Sequence, residues 1–276
     1  MNCEQLFQNI KNKKSFLCVG LDPDPQKIPP FLLKYKHPLF EFNKQIIDAT
    51  AALAVAYKPN LAFYESSGAE GWKNLELTVS YARKHHPEIF LVADAKRGDI
   101  ENTSQMYAKA FFDDLGFDAV TVSPYMGKDS VLPFISKKDK WIAIIALTSN
   151  HGAEDFQLLK SGHNERIFET VIRKSMEWGT LNNTMYVVGA TQASLLVLVR
   201  EIIPEHFILV PGIGAQGGDL NEVVKYGKNK MLGLIVNASR SIIYADNSKL
   251  FAEKAGLKAK ELQSIMHQLL ATNKFI

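Results

Sequence analysis

The sequence predicts a closed (β/α)8 barrel in a single domain spanning 1–276. Three observations carry this prediction. Eight short apolar runs recur along the chain, at 16–21, 54–57, 90–93, 119–122, 141–147, 185–188, 207–210 and 232–236. Segments of helical periodicity separate them. Polar and charged residues gather directly after nearly every run. Runs this short and this continuously apolar fit strands of a parallel sheet covered on both faces. An open, doubly wound sheet fits less well, because the first run ends in Gly20-Leu21-Asp22-Pro23 and not in a glycine-rich dinucleotide turn.

The elements follow in order. The first strand ends at Asp22, and Phe42, Ile46, Ile47 and Ala49 mark the apolar face of a helix behind it. The second strand ends in Tyr57-Lys58-Pro59-Asn60 and the third in Asp94-Ala95-Lys96-Arg97-Gly98-Asp99. Met106, Ala110 and Leu115 predict the buried face of the next helix, with Gly116 as its stop. The fourth strand ends in Thr121-Val122-Ser123-Pro124-Tyr125 and the fifth in Leu147-Thr148-Ser149-Asn150. A long polar connection, 149–166, follows the fifth strand and is expected to act as a lid. The seventh strand runs into Pro211-Gly212-Ile213-Gly214-Ala215-Gln216-Gly217-Gly218. Asp219 with Glu222 opens a helix that Gly227 closes. The eighth strand ends in Asn237-Ala238-Ser239-Arg240, and the tail 249–276 supplies one or two helices that close the barrel.

Composition narrows the function classes. The 276 residues are 46% apolar and 22% charged with a net charge of +3, ordinary values for a globular protein. No stretch concentrates Lys and Arg as a nucleic-acid stripe does; the basic run 11–14 reads as a solvated helix end. No apolar stretch approaches the ~20 residues that span a bilayer, and the N-terminus lacks the pattern of a signal peptide. Two cysteines, Cys3 and Cys18, offer neither a disulfide framework nor metal-ligand spacing. A cytoplasmic location fits best.

Residues two apart on a strand point to one side, so Asp94 and Lys96 project together at the third strand's end. D-x-K-x-x-D by itself is also what a solvated turn with a surface ion pair contains. Its position on a rim already rich in polar residues favours chemistry. Lys58 and Lys96 would face two aspartates, Asp94 and Asp99. Carboxylates beside Lys58 and Lys96 would hold both lysines charged against the pull of burial. A fixed ammonium is not a Schiff-base nucleophile; it can stabilise a carbanion and deliver a proton to it. Glycine-rich turns after the seventh strand, with Gln216 and the guanidinium of Arg240, have the makings of a phosphate site.

These motifs, in this order, resemble those of the orotidine 5′-phosphate decarboxylase family in its longer bacterial form. The resemblance rests on Leu17-Cys18-Val19-Gly20-Leu21-Asp22-Pro23-Asp24, Tyr57-Lys58-Pro59-Asn60, Asp94-Ala95-Lys96-Arg97-Gly98-Asp99-Ile100, the 211–218 turn and Ser239-Arg240, and it covers nearly the whole chain. It implies a cofactor-independent and metal-independent conversion of orotidine monophosphate to uridine monophosphate by a homodimer. It implies Lys96 as proton donor, Asp94 beside the scissile carboxylate, and Lys58 and Asp99 as the rest of a charged tetrad. Asp99 would reach into the partner's site, accompanied by Ile100 and Thr103. Asp22, Lys58 and Asn60 would hold the ribose, Thr148 the base, and Gln216 and Arg240 the phosphate, with Pro211 and Ser239 also against substrate. The run Asn237-Ala238-Ser239-Arg240-Ser241 departs from the glycine-arginine-serine of shorter family members. Two alternatives share the framework. One is a magnesium-dependent sugar-phosphate decarboxylase, which needs an acidic residue near the second strand's end, where this chain has Lys58 and, further on, Glu65. The other is a barrel that binds a nucleotide without turning it over.

Overall fold

The computed structural model describes residues 1–162, 164–213 and 218–276. Eight parallel strands close into a barrel in simple sequence order. They are β1 (Leu17–Gly20), β2 (Ala56–Lys58), β3 (Phe90–Arg97), β4 (Ala119–Val122), β5 (Trp141–Leu147), β6 (Thr184–Val188), β7 (Ile208–Pro211) and β8 (Leu234–Ala238). The helices are α1 (Cys3–Lys13), α2 (Pro38–Thr50), α3 (Ala62–Glu65), α4 (Gly68–His85), α5 (Glu101–Ala108), α6 (Lys128–Ile135), α7 (Ala153–Phe156), α8 (Ile167–Met176), α9 (Leu196–Ile202), α10 (Leu220–Gly227), α11 (Arg240–Ile243) and α12 (Phe251–Thr272). The fold is the (β/α)8 barrel the apolar runs predict. Strands β1, β2, β4, β6 and β8 are buried at every position, the consequence of helices outside and packed side chains within.

Aromatic side chains plug the floor, where the strands begin. Trp141 meets Phe90 edge-to-face at 5.9 Å and Phe207 at 6.4 Å. Such pairs contribute about 0.5–1.5 kcal/mol each beyond the area they bury. The indole N–H donates to the Met1 carbonyl at 2.7 Å, so α1 is drawn across the bottom of the barrel. Leu6 and Ile10 of α1 are fully buried there.

Three local expectations are revised. β3 continues past Ala93 to Arg97, because Arg97 pairs with Val122 after a register shift and Asp94 bridges to Asn60. β8 begins at Leu234, not 232, because Leu232 and Gly233 turn with φ of +61° and +64°. The face Met106, Ala110, Leu115 is not the buried one: Met106 is 53% exposed, whereas Ala108, Phe111 and Phe112 are buried. A π-helical stretch, Lys109–Asp114, follows α5 and rotates the apolar face out of α-helical phase. Elsewhere the local signals act as read. Asp219 caps α10 by accepting the Asn221 N–H at 2.8 Å, Gly116 takes φ +80°, and the tail forms one helix, α12.

Candidate active site

At the mouth, where the strands end, a cavity of about 240 Å³ is lined by Lys58, Asp94, Lys96, Thr121, Thr148 and Pro211, among others. The middle of this lining is one carboxylate with three donors. Asp94 Oδ2 accepts from Lys58 Nζ at 2.8 Å, and Oδ1 accepts from Lys96 Nζ at 2.5 Å and from Thr121 Oγ1 at 3.1 Å. Lys58 is nearly buried, while the Lys96 side chain is half open to the cavity. The electrostatics follow from that burial. Loss of solvent alone would drive Lys58 toward neutrality, but Asp94, then Asp22, outweigh it and hold the ammonium above its ordinary value. Burial alone would likewise raise Asp94, but Lys58 and Lys96 hold it well below the usual carboxylate range. The pair is therefore ionised throughout the neutral range. Burial pushes the Cys18 thiol in the lumen up to about 12, against the pull of Lys58, so it stays a neutral filler.

Lys96 sits at φ +49°, a left-handed conformation that costs a non-glycine residue about 1–3 kcal/mol and persists only where its surroundings impose it. Its N–H donates to Thr121 Oγ1 at 2.8 Å. Thr121 thus fixes the backbone of one charged residue and the carboxylate of the other. Gly98 lets β3 close on β4: a Cβ there would lie 2.5 Å from the Ser123 carbonyl oxygen.

A second carboxylate joins three strand ends. Asp22, just beyond β1, accepts the Asn60 N–H at 3.1 Å and the Ser239 hydroxyl at 2.6 Å. Tyr244 donates to the Asp22 carbonyl at 2.7 Å and accepts the Asp24 N–H at 2.7 Å, and Tyr64 donates to the Leu21 carbonyl at 2.9 Å. Gly20 permits the β1–β8 approach, since a Cβ would lie 2.6 Å from that of Ser239. On the opposite rim, Gln157 bonds Thr148 through both the backbone N–H, at 2.7 Å, and the hydroxyl.

With this geometry in place, three comparisons bear on ancestry. The model of the Orotidine 5'-phosphate decarboxylase / HUMPS family matches residues 15–255. The chain belongs to this family. The orotidine 5'-phosphate decarboxylase of Phocaeicola vulgatus is 59% identical over 270 residues, 98% of this chain and 99% of that protein. That of Porphyromonas gingivalis is 54% identical across the full length of both. The solved structure of Leishmania donovani OMP decarboxylase superposes with a TM-score of 0.79 at 34% identity, covering 96% of this chain and 99% of that one.

In this member of the orotidine 5'-phosphate decarboxylase family, the barrel brings Lys58, Asp94, Lys96, Thr148 and Pro211 to one cavity. Asp22, Asn60 and Ser239 form the adjoining cluster. Arg240 is exposed at the start of α11 and makes no side-chain hydrogen bond or ion pair among the described residues. Gln216 lies outside the described residues. Asp99, Ile100 and Thr103 do not line their own chain's cavity; Asp99 accepts the Ile100 N–H, and Ile100 is 59% exposed. Glu65 pairs with Arg97, which removes the carboxylate a magnesium site beside Asp94 would have needed. Among the described residues, no three His, Cys, Asp or Glu side chains gather as a metal site. Thr121, Tyr64, Tyr244 and Gln157 were not singled out by sequence. A lone hydroxyl or amide carries no spacing pattern, and only the 121–125 strand-end signal pointed toward Thr121.

Proposed function

We propose that this chain decarboxylates orotidine 5′-monophosphate to uridine 5′-monophosphate, the last step of de novo pyrimidine nucleotide synthesis, in the cytoplasm and without a metal or organic cofactor. The observation that carries the reading is the Lys58–Asp94–Lys96 array in the cavity of a chain of this family. Departure of carbon dioxide leaves an electron pair on C6 of the ring. Lys96 stabilises that charge and then donates to it: an ammonium N–H bond breaks as the C6–H bond forms, and solvent returns a proton to the amine. Asp94 has no proton to give and stands against the departing carboxylate, so repulsion is relieved as the reaction proceeds. Lys58 keeps Asp94 ionised and in place. All of these charges are positioned before substrate arrives, which is what makes electrostatic stabilisation effective.

Asp22 and Asn60 take the ribose hydroxyls, together with Lys58. Thr148 takes the base. Arg240 and Gln216 take the phosphate end, and Pro211 and Ser239 also contact the substrate; an arginine fork without a partner among the described residues suits the phosphate role. The segment 149–166, which carries α7, closes over the cavity as a lid, and phosphate binding energy drives the closure. The chain works as a homodimer in which Asp99, with Ile100 and Thr103, completes the partner's site. The exposure of Ile100 and the absence of all three from their own cavity's lining support that assignment.

The test is direct. Orotidine monophosphate added to the purified chain, with a chelator present, is expected to lose its orotate-type absorbance as carbon dioxide is released. No release ends this reading. Activity that vanishes with the chelator returns the magnesium-dependent alternative.

A further inference from the structure

We propose that Arg97, held by Glu65, is a positioning residue that fixes Lys96 in its left-handed conformation. The proposal rests on the decarboxylase reading only for its kinetic arm. Arg97 follows Lys96 on β3 but does not line the cavity. Its guanidinium faces helices instead. It pairs with Glu65 at the end of α3 and lies over the rings of Tyr107, at 5.3 Å, and Phe111, at 5.7 Å. Its Nη1 donates back to the Ala95 carbonyl at 2.7 Å. That carbonyl belongs to the peptide group whose N–H is that of Lys96, and the same N–H donates to Thr121 Oγ1 at 2.8 Å. One peptide plane is thus pinned at both ends, by Arg97 on the helix side and Thr121 on the strand side. Rotation about the Lys96 N–Cα bond, which carries φ to +49°, starts from that fixed plane. A side chain in this conformation reaches back to Asp94 at 2.5 Å, two residues earlier on the same strand.

Each part has a reason. A guanidinium can hold a carbonyl with one nitrogen and a carboxylate with another in a rigid plane, which an ammonium cannot. The two rings add cation–π attraction and shield the group from water. Glu65 keeps the fork from swinging toward solvent. Arg97 touches no reacting atom; it acts through Lys96.

The test is Arg97→Met with Arg97→Lys beside it, read as kcat and KM for orotidine monophosphate and as Kd for uridine monophosphate, which lacks the carboxylate. Arg97→Met is expected to lower kcat at least tenfold while product affinity stays within threefold, and Arg97→Lys is expected to recover part of the loss. In a crystal structure of Arg97→Met, Lys96 is expected to leave positive φ. A kcat within twofold of the parent overturns the proposal, as does product affinity falling in step with kcat, or Lys96 unmoved at positive φ. Should Arg97→Met fail to fold, Glu65→Gln carries the test: a kcat loss of about threefold with product affinity unchanged supports the proposal, and an unchanged kcat overturns it. A parent inactive on orotidine monophosphate removes the decarboxylase reading, and the crystallographic arm still decides the positioning.

Discussion

The two ends of the barrel treat one deeply set cation each, Arg200 and Lys58, in opposite ways. On the floor, cations hold backbone carbonyls. Arg200 of α9 donates to the carbonyls of Gly227, Ile203, His206 and Gly233 and meets no carboxylate among the described residues; Arg83 of α4 donates to those of Gly116 and Ile89 and also pairs with Asp118, and Lys13 donates to those of Ala51 and Ala54 and also pairs with Glu88. These carbonyls belong to helix ends and to the loops that lead into strands, where orphan acceptors and the negative end of the helix dipole both favour a positive charge. At the mouth, cations meet carboxylates: Lys58 and Lys96 on Asp94, Arg97 on Glu65. The electrostatic outcome differs accordingly. Burial alone pulls Arg200 down to about 9, because no carboxylate compensates it, whereas Lys58 is held above its ordinary value. Carbonyls anchor a cation without preparing it for chemistry. Paired carboxylates keep it charged in a dry pocket where a substrate can use it.

The strongest way to break this comparison is to remove a cation from each end. Lys96→Ala is expected to cut kcat by at least about a thousandfold, with ligand affinity kept within about tenfold and thermal stability nearly unchanged; steady-state kinetics and product titration check this. Arg200→Met is expected to do the reverse. Four carbonyls lose the arginine, and although Gly233 keeps the Ile208 N–H, buried unsatisfied acceptors cost about 1–3 kcal/mol each before water relieves some of them, so a loss of about 3 kcal/mol in urea unfolding is expected, with kcat and KM at low temperature within twofold of the parent. A kcat loss in Arg200→Met larger than its stability loss explains would erase the distinction.

Arg240→Ala sharpens the same point with a smaller effect. A charge-assisted bond to phosphate is worth about 1.5–3 kcal/mol, so KM is expected to rise about 10- to 100-fold while the unfolding midpoint stays put. A drop in that midpoint would instead make Arg240 a floor-type anchor.

The smallest effect is the pH dependence of stability, and it separates the two ends by titration range. His206 packs edge-to-face on Tyr186 at 5.6 Å near the start of β7. Burial, with Arg200 adding and Glu205 opposing, lowers it from 6.5 to about 4. The folded chain keeps it neutral while the unfolded chain takes up a proton. Its contribution to stability is therefore complete above about pH 6.5 and declines as pH falls toward 4. Asp94 has the opposite chemistry and a lower window: its contribution is complete above about pH 4 and is lost below that. His206→Phe is expected to flatten the stability profile between pH 6.5 and 4 and leave the steeper loss below it, as measured by thermal midpoints across that range.

The sequence by itself determined the barrel, the order of its strands and most of the residues on its rim. The reason is local: run length, strand alternation and the polar residues that end each strand are properties of neighbours in the chain. Asp94 and Lys96 could be placed together because they are two apart on one strand. Only the tertiary structure decided their partners. Thr121 is 25 residues from Lys96, Tyr244 is 222 from Asp22, and Glu65 is 32 from Arg97. No periodicity links such residues; barrel closure brings them together. The same holds for the misjudged face at Met106, where the π-helical stretch beyond α5 turns Phe111 and Phe112 inward. An α-helical period cannot anticipate that shift, because it is set by what the two rings pack against.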